Sequence, residues 1–200
     1  MPTDYFTLFS LPQHLHLDLA ALEKTFYAQS RKLHPDRFAS QPLEAQQAAL
    51  AASSQLNDAY RTLRDPILRT EYLLSLQGIQ LEEQSRTATD LAKSTGTQKK
   101  QVAPPDLLEE AFELNMALEE LKMAGDDPDA RAQLESSRVK FSALLTETHE
   151  QLEALWTAWD TAVDTANEAS QESTKQALVA LLNRRTYIRN LVRDVTAALE

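Results

Sequence analysis

The chain has 200 residues, a formal charge of −10, only 3 glycines and no cysteine. The lack of cysteine excludes disulfides, thiolate metal sites and thiol catalysis, and it suits a reducing compartment. Scarce glycine, with abundant Ala, Leu, Glu and Gln, favours an all-α fold of one or two domains. The charge is uneven: residues 1–76 carry 7 Lys/Arg and 8 Asp/Glu, residues 77–105 carry 4 and 3, and residues 106–200 carry 9 and 19. Such an acidic C-terminal half repels phosphate, so nucleic acid and anionic membrane are poor partners, and a neutral or basic one is expected. No apolar run approaches the ~20 residues that cross a bilayer. "MPTDYFTLF" has neither a basic leader nor a signal-like apolar core, so an untargeted, cytoplasmic protein is expected.

In chain order, "YFTLF" before Pro12 predicts a short helix whose aromatics pack under the hairpin made by the next two helices. The "HLH" at 14–16 falls in a loop, as surface or local packing. Residues 18–33 place Leu19, Leu22, Phe26 and Leu33 at helical spacing, with Asp18 as N-cap. Pro35 disfavours helical geometry at His34, so this helix stops near Leu33. Residues 43–63 predict the next helix, with Leu43, Leu50, Leu56, Ala59, Tyr60 and Leu63 as its apolar set. Asp65-Pro66 ends it, and Pro66 suits the first turn of a shorter helix through Leu76.

Residues 80–105 are polar and almost without apolar periodicity, which reads as a linker between a first module, 1–79, and a second, 106–200. Asp106, after Pro104-Pro105, is placed as an N-cap. "GDDPDAR" at 125–131 is a helix stop followed by a restart. The helix after it carries Leu134, Phe141, Leu145, Leu152, Leu155 and Trp159, and the last carries Leu178, Leu181, Ile188, Val192, Val195 and Leu199. Neither Gly nor Pro marks the turn between them, which is placed within "DTANEASQEST". Three such helices predict an antiparallel three-helix bundle. "WTAWD" at 156–160 reads as core and "NRR" at 183–185 as solvated surface.

His34-Pro35-Asp36 sits between the first two long helices. A catalytic reading needs a nucleophile or a metal cluster, and His14, His16 and His149 are not spaced with His34 to make one. With no nucleophile triad or Gly-rich phosphate loop either, an enzyme is not expected, nor a cofactor or metal. A plain helix-breaking turn and a docking elbow remain. In the second module, a wheel at about 100° per residue puts Leu107, Ala111, Leu114, Leu118 and Leu121 within about 40° of one line. Leu108, Phe112, Met116 and Met123 fall at about 100–180° from it. That is a second apolar stripe, edged by Glu109, Glu113 and Glu119. It is either buried in an asymmetric bundle or exposed as a docking groove with adaptable Met and Phe anchors.

"DYFTLFSL" at 4–11, "LEKTFYAQSRKLHPDRF" at 22–38 and "LNDAYRTLRDPILRTEYLL" at 56–74 resemble the J-domain of DnaJ-type co-chaperones. With the linker and the acidic C-terminal helices, the whole chain resembles the HscB family. The resemblance implies a co-chaperone with an N-terminal J-domain helical hairpin and a C-terminal client-binding bundle. It implies that His34, Pro35 and Asp36, with Arg31, Lys32 and Arg37, dock on an HscA/DnaK-type chaperone and trigger its ATPase. It implies that Leu108, Phe112, Glu113, Met116 and Tyr187 hold the iron–sulfur scaffold IscU. Glu23, Tyr27 and Ala28 make the elbow helix less basic than is usual, which favours one dedicated partner. A J-domain co-chaperone for another client, and a helical scaffold with no chaperone role, are the rival readings.

Overall fold

The computed structural model describes residues 4–79, 81, 104–124 and 127–200. Among these residues every regular element is helical, as the composition predicts. Helix α1 (Tyr5–Leu8) begins on Asp4, whose carboxylate accepts the Thr7 N–H. Helix α2 (Leu19–Leu33) begins on Asp18, which accepts from the Ala20 and Ala21 amides. It ends where Pro35 holds His34 extended, at φ −60 and ψ 127. A short 3-10 turn, Pro35–Phe38, leads into α3 (Leu43–Arg64). Asp65 then caps α4 (Pro66–Leu76) through the Ile67 and Leu68 amides, with Pro66 in the first turn, where no donor is lost. The remaining helices are α5 (Leu108–Ala124), α6 (Pro128–Asp164) and α7 (Glu168–Leu199).

Contacts divide the chain into two compact units. The first combines Met1–Ile79 with Trp156–Lys175; the second combines Gln80–Leu155 with Gln176–Glu200. The linker expected at 80–105 lies outside the described residues, except for Leu81, which is buried, and Pro104-Pro105.

In the first unit, Phe26 of α2 stacks on Tyr60 of α3 at 4.2 Å, which ties the hairpin together. Phe6, Leu22, Leu56, Leu63, Leu73 and Leu74 form its core, and Trp156 and Trp159 are buried in the same unit. The loop before α2 is held on every side. Trp159 Nε1–H donates to the Gln13 carbonyl at 2.9 Å. Asp160 accepts from the amides of Leu15 at 2.6 Å and His16 at 2.9 Å. His14 Nε2 lies 2.9 Å from Asp164, and His16 Nδ1 lies 3.0 Å from Asp160. Arg69, itself buried, donates to the carbonyls of Leu15 and Leu63. Leu15 is therefore wholly buried, and full burial of a leucine contributes about 1.5–3 kcal/mol.

Three helices end in the same hydrogen-bonded turn. Gly78 (φ 78) after α4 donates to the Ser75 carbonyl, while the next amide, that of Ile79, reaches back to Leu74. Ser10 (φ 56) after α1 and Ala166 (φ 50) after α6 repeat the pattern, with Leu11 bonded to Phe6 and Asn167 to Ala162. The turn between the last two helices falls inside the expected stretch. It carries no glycine because an alanine has taken the left-handed position that glycine usually fills.

In the second unit, Leu107, Ala111, Leu114 and Ala117 pack on Leu134 and Phe141 of α6 and on Ile188, Leu191, Val195 and Leu199 of α7. Arg131, near the start of α6, donates to the Leu199 carbonyl at 2.8 Å, so these two helices run antiparallel.

Three sequence expectations change. Leu43 and Leu50, expected in the α3 core, stand 69% and 62% exposed, and Leu19 is also exposed. They belong to the apolar period, but no segment among the described residues of the first unit covers them. Asp106 is not a cap: it lies within a 3-10 turn, Pro105–Leu107, and its carboxylate accepts from Arg184 instead. Leu145, Leu155, Leu181 and Val192 are only half-buried, while Trp156, Leu182 and Leu191 complete the buried faces.

Candidate functional site

The elbow is built from local constraints. Pro35 fixes one backbone angle at the head of the 3-10 turn. The Asp36 amide donates to His34 Nδ1 at 3.3 Å, so in the neutral ring the proton sits on Nε2. The His34 ring and the Asp36 carboxylate stay close, at 3.4 Å, yet the Asp36 side chain is 89% exposed. Arg37 Nη1 donates to the Arg31 carbonyl at 3.3 Å, which closes the end of α2. Arg31 and Lys32 lie in the last turn of α2, where the helix dipole favours positive charge. All six residues named from the sequence here, His34, Pro35, Asp36, Arg31, Lys32 and Arg37, are exposed and gather at one end of the hairpin. The arrangement presents a water-facing carboxylate and several cations on a stiff turn.

In the second unit, the two stripes of α5 separate as the wheel divides them. Leu107, Ala111 and Leu114 are buried, and Leu118 and Leu121 pack half-buried against the same core. Leu108, Phe112, Met116 and Met123 stand outside it, with Phe112 67% and Met116 58% exposed. Glu109, Glu113 and Glu119 are exposed beside them. Large apolar side chains in a row on a water-facing helix mark an interaction surface. Tyr187 is placed differently. It is half-buried on α7 against the bundle core, and burial pushes its hydroxyl pKa up.

Two ion pairs fix α5. Arg184 beside Asp106 holds that carboxyl below its ordinary value. Glu110 is also lowered, first by its own backbone amide and then by Lys140, which lies 3.3 Å away. Spacing on a single helix gives no sign of either cross-helix partner.

The described residues thus present a His-Pro-Asp elbow exposed on a helical hairpin and, later in the chain, a helical bundle. No protein-family model matches the chain. Among solved structures it is similar to the chaperone HscB from Vibrio cholerae, with a TM-score of 0.60 and 29% identity over 98% of this chain and 96% of that one. It is also similar in fold to the human co-chaperone HscB, with a TM-score of 0.59 and 21% identity over 98% of this chain and 82% of that one. The whole-chain likeness to the Vibrio cholerae protein supports an HscB-type co-chaperone. No helix among the described residues is long and apolar enough to cross a membrane.

Proposed function

We propose that this chain serves iron–sulfur cluster assembly by linking an HscA/DnaK-type chaperone to an IscU-type scaffold. The first module, 1–79, stimulates the chaperone's ATPase through His34, Pro35 and Asp36. Arg31, Lys32 and Arg37 supply the cationic flank. The second module, 106–200, holds the scaffold on Leu108, Phe112, Glu113, Met116 and Tyr187. The ATP chemistry belongs to the partner; this chain contributes binding and orientation.

The observation that carries the reading is the water-facing Asp36 carboxylate on a turn fixed by Pro35 and by the His34–Asp36 bond. A carboxylate so presented accepts a bidentate pair from a partner arginine, and a prefixed turn loses little entropy on docking. The exposed apolar row on α5, flanked by glutamates, suits a partner with an apolar patch and basic neighbours.

The test is Asp36→Asn, assayed with the chaperone and ATP. Stimulation of hydrolysis is expected to vanish while helicity and scaffold binding persist. Retained stimulation refutes the elbow's role.

A further inference from the structure

A cleft of about 620 Å³ opens in the first unit between α1, α3 and α4, and none of the elbow residues lines it. Its walls include Asp4, Tyr5, Ser54, Asp58, Tyr72 and Leu76. Tyr5 and Tyr72 stack with ring centroids 4.3 Å apart and planes 13° from parallel. The Tyr5 amide donates to the Tyr72 hydroxyl at 2.9 Å and fixes the pair. The cleft is thus an aromatic and apolar hollow with two carboxylates on its walls.

Burial raises the Asp4 pKa, but hydrogen bonds from Thr7 outweigh this and leave it lowered, so Asp4 stays anionic at neutral pH. Asp58 pairs with Arg61 one helical turn on, and both side chains are more than two-fifths exposed. Such a surface pair is weak and readily exchanged.

The outer face of α3 continues from this cleft. Leu43, Gln47, Leu50, Ser54 and Asp58 follow one another at helical spacing. The two exposed leucines therefore line up with the cleft wall. A row of leucines left open to water, running into a hollow with carboxylates, fits an apolar ridge that carries a cation. Arginine fits better than lysine, because its planar fork matches carboxylates and lies flat on tyrosine rings.

We propose that this cleft and the α3 row beside it receive an amphipathic helix of a partner protein, which inserts one arginine into the cleft. The guanidinium pairs with Asp4 and Asp58, its stem lies along Tyr72 and Leu76, and the partner's apolar ridge covers Leu43 and Leu50. The site shares no residue with the elbow or the α5 stripe, so it stands or falls apart from the co-chaperone reading.

The test uses the full chain, labelled for amide NMR. It is titrated with a synthetic amphipathic helix bearing leucines at i and i+7 and one arginine, and with the same peptide carrying glutamine for the arginine. Saturable shifts are expected on α1, on the outer row of α3 and at Tyr72. Affinity is expected to be at least about tenfold lower for the glutamine peptide and to weaken with salt. Leu50→Ser and Asp58→Asn, both at exposed positions that leave the circular dichroism unchanged, are each expected to weaken binding several-fold. Equal binding of the two peptides, shifts gathered on the α5 stripe, or no saturable binding overturns the proposal.

Discussion

Arg69 Nη2 donates to the main-chain carbonyl of Leu15 at 2.7 Å, across 54 residues of sequence, from a side chain that water barely reaches. The same guanidinium serves the Leu63 carbonyl at the end of α3. One planar fork therefore ties together α4, the end of α3 and the loop before α2.

Removing that fork strands two carbonyls where water cannot replace it. Arg69→Ala is expected to lower stability by about 3 kcal/mol. Arg69→Lys is expected to recover only part of this, since an ammonium lacks the two-pronged geometry. Urea denaturation of the three proteins decides it; a loss below about 1 kcal/mol would show that the bonds are dispensable.

Ala166 holds the left-handed position that Gly78 holds after α4. An alanine there is strained by its Cβ, whereas a glycine is not. Ala166→Gly is expected to stabilise the chain by about 0.5–1 kcal/mol, the relief of strain exceeding the extra freedom of the unfolded chain. Thermal melts of the variant and the parent measure it, and a lower midpoint would contradict it.

Phe112 and Met116 stand outside the bundle core. Phe112→Ala with Met116→Ala is expected to leave helicity and melting temperature within error while weakening scaffold binding at least about tenfold. Calorimetric titration beside circular dichroism checks both halves. A collapse of the melting temperature would return this stripe to the core.

Asp106 binds its proton less tightly when folded than the ordinary 3.8, chiefly because Arg184 hydrogen-bonds it. Around that pH the unfolded chain holds more protons, so stability there rises with pH. The contribution is complete above the ordinary value and is lost as the pH falls through the lowered one. The pair is partly exposed, so its size is expected to be below about 1 kcal/mol. Wild type should exceed Asp106→Asn at neutral pH, and the difference should shrink as the pH falls below the ordinary 3.8; a difference unchanged with pH would rule the pair out as the cause.

Much of the fold was legible because its signals are local. Asp18, Asp65, Pro35 and Pro66 act on their own helix ends, and each sits where its chemistry requires. The two faces of α5 were equally legible, since a helical wheel needs only the spacing of one helix. Periodicity did not reveal which apolar faces find cover. Leu43 and Leu107 look alike in sequence, yet one is open and the other buried. Nor did it reveal partners distant along the chain, so Asp106 read as a cap rather than as the mate of Arg184, and "HLH" gave no hint of Asp160 and Asp164. At the elbow, sequence supplied the residues, and the structure added their exposure and the bond from the Asp36 amide to His34.

The first unit draws Trp156–Lys175 into the same body as Met1–Ile79. A ribosome makes the elbow long before it makes Trp159 and Asp160. The nascent hairpin therefore emerges with the Gln13 carbonyl and the Leu15 and His16 amides still lacking their final mates. Domains commonly fold as translation delivers them, and this unit is completed only when Trp156–Lys175 has been made. Synthesis halted in the intervening segment would release a hairpin that carries its His-Pro-Asp elbow without the brace that completes the unit.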